Sequence, residues 1–216
     1  MDDVKIISYF GYVIHLINIV LYLTTFRKHN KAYKTIAIYL VYIGFVQFAT
    51  ERYASQGMNN HHMATYYMFG QFIFLGLFFY YLFKPFNVRA ANIIKYSSIV
   101  ISIGLISQYV ISPSLYFTFN PIGFFITSIA LIIYAVIYLY ELLTMKSYFY
   151  YTVIGILIYL MSSSFIFSAA ASIITLKDDM SFLIWKINGI LFILYQLLLL
   201  WEWKQNYSPK AVKQGL

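Results

Sequence analysis

Seven long apolar stretches, separated by short polar connections, constrain this chain more than any other feature. They run Val4–Phe26, Thr35–Tyr53, Met63–Phe83, Ala91–Ile111, Pro121–Met145, Tyr148–Leu176 and Met180–Trp203. Each reaches the ~20 residues that an α-helix needs to cross a bilayer. Of the 216 residues, 62% are hydrophobic and 10% charged, against roughly a quarter charged in a soluble domain. The expected fold is an all-α integral membrane protein: one seven-helix transmembrane domain over residues 1–216, ending in a short basic tail, 204–216. The stretches leave no length for a soluble catalytic domain, so any activity is expected in the membrane or at its faces. The acidic start Met1-Asp2-Asp3 leads into an apolar run that continues to Phe26, which reads as a retained span and not a removed signal. Cysteine is absent, which excludes disulfides, thiol nucleophiles and cysteine metal sites.

Charge placement orients the spans. Of the 15 Lys and Arg residues, the side of the loops after spans one, three and five and of the C-terminal segment carries Arg27, Lys28, Lys31, Lys34, Lys84, Arg89, Lys95, Lys146, Lys204, Lys210 and Lys213. Lys5, Arg52, Lys177 and Lys186 fall at the opposite ends. Cationic loops stay cytoplasmic, so the expectation is an outside N-terminus and a cytoplasmic C-terminus. The net charge of +8 then faces anionic headgroups and is no nucleic-acid signature. The lipid bilayer is the first expected partner.

Polar residues inside spans are costly and tend to face a protein interior or a water-filled cavity. Gln47 and Glu51 lie four residues apart on one face of span two, and Tyr67 and Gln71 do the same on span three. Lys186 and Asn188 lie in the outer third of span seven. With His61 and His62 from the loop before span three, these residues outline a ligand-binding pocket open to the outside, with Glu51 and Lys186 at its centre. The structural alternative is an ion pair, or a lysine reaching toward outer headgroups. Adjacent histidines diverge on a helix and need further ligands to hold zinc, so no metal and no cofactor are assigned. His15 and Asn18 share a face of span one and are expected to hydrogen-bond a neighbouring helix, as is Gln196. Ser164, Ser168 and Ser172 form a small-residue packing stripe on span six.

The run FATERYASQGMNNHHMATYYMFGQFIFLGLFFYYLFK, Phe48 to Lys84, resembles a family of uncharacterised seven-span proteins of Bacteroidota. In that family a glutamate closes span two, a Gly-x-Asn-Asn loop follows, and span three is tyrosine-rich with a central polar residue. Glu51, Gly57, Asn59, Asn60, Tyr66, Tyr67 and Gln71 match that plan, although the family commonly has glutamate at Gln71. Lys186 and Asn188 match it in SFLIWKINGILFILYQLLLLWEW. The resemblance implies a multi-pass protein of the bacterial inner, or cytoplasmic, membrane and no particular activity. Seven spans also invite comparison with retinal proteins, but Lys186 stands only about two turns from the outer end and span three has no carboxylate, so retinal is not expected. The functional expectation is a sensory or accessory protein coupling a small ligand or lipid to a cytoplasmic signalling protein. The alternatives are a small-molecule or ion transporter and an intramembrane lipid-modifying enzyme.

Overall fold

The computed structural model describes residues 2–144, 149–172 and 178–209. All secondary structure among them is helical. The seven main helices are α1 (Asp2–Thr24), α2 (Lys31–Ser55), α3 (His61–Phe83), α4 (Val88–Ile111), α5 (Pro121–Glu141), α6 (Tyr150–Ser172) and α7 (Asp178–Glu202). Each expected span overlaps one of these helices over its described residues. Six of the helices are long and apolar enough to cross a membrane, and the described side chains of α6 give a shorter apolar helix over Tyr150–Ile166. The chain is thus a multi-pass, all-helical membrane protein.

Helix starts leave N–H groups unpaired, and in or near lipid those donors need a partner from the chain. Three helices solve this with asparagine at the position before the helix. The side-chain oxygens of Asn30, Asn87 and Asn120 accept the backbone N–H of Tyr33 at 3.0 Å, Ala90 at 3.0 Å and Gly123 at 2.9 Å. The fixed φ of Pro121 supports the start of α5 as well. Asn60, before α3, makes no such cap.

The helices divide into two compact units. The first comprises Met1–Lys28 and Ile132–Leu216, the second His29–Leu131. In the first unit α1 and α7 lie side by side with residue numbers rising together, so the two helices run parallel. Gly189 faces Ile7, and Gly11 faces the Phe192 ring. The His15 and Phe192 rings stand 5.8 Å apart. Asn18 Nδ2 donates to both the backbone oxygen (2.8 Å) and the Oε1 (2.9 Å) of Gln196. The Tyr22 hydroxyl donates to Leu199 O at 3.1 Å. Trp203 Nε1 donates to Thr25 Oγ1 at 3.3 Å. His15, Asn18, Tyr22 and Thr25 recur at helical spacing and are all buried, which makes one polar seam along α1. The sequence expectation that Asn18 bonds a neighbouring helix is met, with Gln196 of α7 as its partner. On its other side α7 packs antiparallel to α6. There the Tyr159 and Tyr195 rings stack at 5.5 Å and 15°, and Gly155 leaves room for Tyr195.

In the second unit α2, α3 and α4 run antiparallel in sequence order. Gly57 makes the turn after α2 with φ +68°, a conformation that suits glycine. Tyr42 lies flat over Gly70, where an added Cβ would collide with its ring, and its hydroxyl donates to Tyr66 O at 2.8 Å. Gly76 likewise admits Ser98 of α4. Outward from this packing α4 is largely apolar and exposed, with only Ala91, Ile94 and Leu105 buried. Of the serine stripe on α6, Ser164 is buried and donates to Leu160 O at 2.6 Å, whereas the side chains of Ser168 and Ser172 lie outside the described ones.

The seam predicts a double-mutant signature. Asn18→Leu should destabilise the protein by about 1 kcal/mol by leaving Gln196 Oε1 without its donor. Asn18→Leu combined with Gln196→Leu should recover most of that loss, as read by reversible unfolding in mixed micelles. Simple additivity of the two substitutions would contradict the paired arrangement.

Candidate functional site

The end of the second unit where α2 finishes and α3 begins gathers a cluster of polar and aromatic side chains. Tyr53 comes from α2, His62 and Tyr66 from the first turns of α3, and Tyr116 from the 3-10 turn Pro113–Phe117 after α4. His62 stands at the middle. Its ring centroid lies 5.0 Å from Tyr53, 6.5 Å from Tyr66 and 5.9 Å from Tyr116. The Tyr66 and Tyr116 hydroxyls hydrogen-bond at 2.7 Å. That bond pushes the Tyr116 phenol above the usual tyrosine value; desolvation and the nearby Tyr66 and Tyr53 act in the same direction.

Beneath the cluster lies a hydrogen-bond chain. Asn120 Nδ2 donates to Gln108 Oε1 at 3.0 Å and to the Tyr109 hydroxyl at 3.3 Å. The Tyr109 hydroxyl in turn meets Thr65 Oγ1 at 3.3 Å. Ala64, Thr65, Met68, Tyr109, Phe119, Asn120 and Phe124 line a crevice of about 160 Å³ of empty space, too tight to admit a water-sized molecule. This crevice is closed and has no room for a ligand.

The residues marked from sequence distribute as follows. His61 and His62 open helix α3 and do not lie in a loop; the reason is local, since Asn59 Oδ1 accepts the His61 N–H at 2.9 Å and Asn60 O accepts that of Met63 at 2.9 Å. His61 is exposed and His62 half-buried. Gln47 is half-buried and Glu51, one turn further, is exposed. Tyr67 is half-buried, while Gln71 is 3% exposed and its Nε2 has no hydrogen-bond partner among the described residues. These six belong to the second unit. Lys186 and Asn188 are half-buried on α7 in the first unit, and the buried Asn188 Oδ1 has no hydrogen-bond partner among the described residues. Among the described residues no group of three or more His, Cys, Asp or Glu could hold a metal ion.

One heavily bonded side chain was not marked from sequence. Glu202, the last residue of α7, is fully buried. Its carboxylate accepts the backbone N–H groups of Phe149 (2.8 Å), Tyr151 (2.9 Å) and Thr152 (3.3 Å), and the Asn206 side-chain amide at 2.6 Å. Those backbone donors open α6, so a carboxylate supplied by another helix fills the role of an N-cap and meets the positive end of the helix dipole. It also holds Phe149, which has φ +75°, a left-handed conformation that is costly for a residue with a side chain. Asn206 belongs to a π-helical turn, Trp203–Tyr207, that extends α7 and brings the Tyr207 ring to 5.1 Å from Phe149, tilted by 37°. An acid four residues before an asparagine, just after a long apolar run, is the only sequence trace of this arrangement.

No protein family, curated protein or solved structure matches the chain. Its assignment therefore rests on the helices and side chains themselves: a multi-pass membrane protein with a tyrosine-histidine cluster at one end of one unit and a buried carboxylate cap in the other.

Two consequences are measurable. Glu202→Ala should lower stability by about 2–4 kcal/mol, because it leaves several donors unpaired, and the amides of Tyr151 and Thr152 should be the first to lose protection in hydrogen exchange. Unchanged protection there would contradict the cap. At the other site, a raised Tyr116 value means that the fold favours the protonated phenol. The Tyr66–Tyr116 contribution is therefore intact at neutral pH and lost as pH rises through the elevated value. Tyr66→Phe should return Tyr116 toward the ordinary tyrosine midpoint, followed by NMR of ring-labelled tyrosine.

Proposed function

We propose that the chain is a sensory or accessory membrane protein that takes up a small polar ligand or a lipid from the outer side and passes the change to a cytoplasmic protein. In this reading the helices form seven spans, the N-terminus is outside and the C-terminus cytoplasmic. The parallel course of α1 and α7 supports an odd number of crossings, and the distribution of Lys and Arg sets the direction. Kinship with the seven-span proteins of Bacteroidota, and with it an inner-membrane location, belongs to the same proposal.

The observation that carries the ligand reading is the state of Gln71 and Asn188. Each keeps one buried polar atom, Gln71 Nε2 or Asn188 Oδ1, with no hydrogen-bond partner among the described residues. An unsatisfied buried group costs about 1–3 kcal/mol, and a bound donor or acceptor would offset that. Both residues belong to the set marked from sequence, with Glu51, Lys186, Gln47, Tyr67, His61 and His62 as the remaining members. The crevice beneath the tyrosine-histidine cluster has no room for a ligand, so entry at that point requires it to open.

The test is mass spectrometry of what co-purifies with the full chain from native membranes in mild detergent, repeated with Gln71→Leu. A retained small molecule or lipid that is lost in Gln71→Leu, while the variant melts at the same temperature or higher, is the expected result. The same set of retained molecules in both proteins would overturn the ligand reading. Deleting Lys210–Leu216, beyond the turn that carries Asn206 and Tyr207, should release a stoichiometric protein partner and leave the ligand bound. Solute flux in liposomes that disappears in Lys186→Ala would mark transport instead.

A further inference from the structure

The opposite end of the second unit is built differently from the tyrosine-histidine end. There α2 begins, α3 finishes and α4 begins. The end carries Lys31, Lys34, Lys84 and Arg89, with Lys95 two turns into α4. The only carboxylate residue between His29 and Leu131 is Glu51, 20 residues along α2 from Lys31, a separation of roughly 30 Å. Within the unit, Lys31, Lys84 and Arg89 have no carboxylate at their own end.

The cations are also held in place. Lys31 Nζ lies 5.7 Å from the centroid of the Tyr81 ring, which ties the start of α2 to the end of α3. Lys84 Nζ lies 5.4 Å from the Tyr80 ring. Tyrosine faces restrain the two ammonium groups without neutralising them, which leaves their positive charge for an outside anion. From Arg89 an exposed apolar column runs along one face of α4: Ile93 (61% exposed), Tyr96 (61%), Val100 (68%) and Ile103 (59%). The spacing of four and three residues keeps these side chains in line below the guanidinium.

Charge at one end and a continuous apolar track leading from it match an amphiphile with an anionic head and long chains. We propose that this end of the second unit is a binding site for an anionic phospholipid. Its phosphate sits among Lys31, Lys84 and Arg89, and an acyl chain lies along the Ile93–Ile103 face of α4. Basic clusters at the ends of membrane helices recognise such headgroups. The guanidinium of Arg89 adds paired donors suited to phosphate oxygens. This site is separate from the ligand residues of the preceding section and stands whether or not they bind anything.

The experiment is native mass spectrometry of the full chain in neutral detergent, titrated with phosphatidylglycerol or with phosphatidylcholine of identical acyl chains. The unaltered protein should retain about tenfold more phosphatidylglycerol. The variant K31Q/K84Q/R89Q should bring the ratio close to one, whereas Arg52→Gln, at the far end of α2, should leave it unchanged. Equal retention of the two lipids by the unaltered protein, or a preference that survives the triple substitution, would overturn the assignment. Soluble glycerol phosphate should give no thermal protection; protection equal to that of the lipid would mean that the site reads a free phosphate and not a lipid. A photoactivatable phosphatidylglycerol, used on the unaltered chain, should crosslink within Lys84–Ile103. Crosslinks confined to the Arg52 end would also overturn the assignment.

Discussion

Where water is absent, an amide or a backbone N–H can bond only to the chain around it, and an unmet group costs several kcal/mol. The helices here expose large apolar side chains along much of their length, so they belong in such a setting. The described structure follows from meeting that demand with few polar residues. Asn18 places both of its contacts on Gln196 and fixes the rotation of α1 against α7. Tyr22 and Thr25 repeat the solution down the same face. At the end of α7, Glu202 does for α6 what a helix usually arranges with a residue of its own. Close helix approach at Gly11, Gly70 and Gly155 supplies the van der Waals contact that replaces the hydrophobic effect between helices in lipid.

The same demand is met unevenly. Asn120 and Glu202 are buried and bonded, and their roles are accounted for by the helices they start. Asn18 bonds through Nδ2 alone; its Oδ1, like Gln71 Nε2 and Asn188 Oδ1, is buried with no hydrogen-bond partner among the described residues. Of these three residues, Gln71 and Asn188 also belong to the set marked from sequence. The basic end of the second unit follows another logic: its cations stand at the rim, where aromatic rings restrain them and headgroups can answer them.

Much of the fold was legible in the sequence because a membrane span is a coarse signal. A run of apolar residues between short polar connections locates Val88–Ile111 or Pro121–Glu141 to within a few positions. The asparagine caps were less visible, since Asn30, Asn87 and Asn120 look like ordinary loop residues until the N–H three positions on is seen to point back at them. His61 and His62 read as a loop because polar residues flank them, whereas backbone and Asn59 contacts start α3 there. Pairing across helices was the least legible. That Asn18 meets Gln196 depends on two helices nearly the whole chain apart running parallel, and that Glu202 reaches Phe149 depends on the α6–α7 register. Neither is encoded in local spacing. Of the marked ligand residues, Gln71 emerged as buried and Glu51 as exposed on the basis of helix rotation, which composition does not carry.

In the proposed topology the chain threads a bilayer so that its two ends emerge on opposite faces, with the tyrosine-histidine end outside. Because the sequence contains no cysteine, single cysteines at Ser55, after which α2 ends, and at Ser208, beyond α7, can be probed in intact cells with a membrane-impermeant maleimide. The account predicts that Ser55→Cys is labelled from outside and Ser208→Cys only after the membrane is opened. Labelling of both from the same side, or with the order reversed, would contradict it.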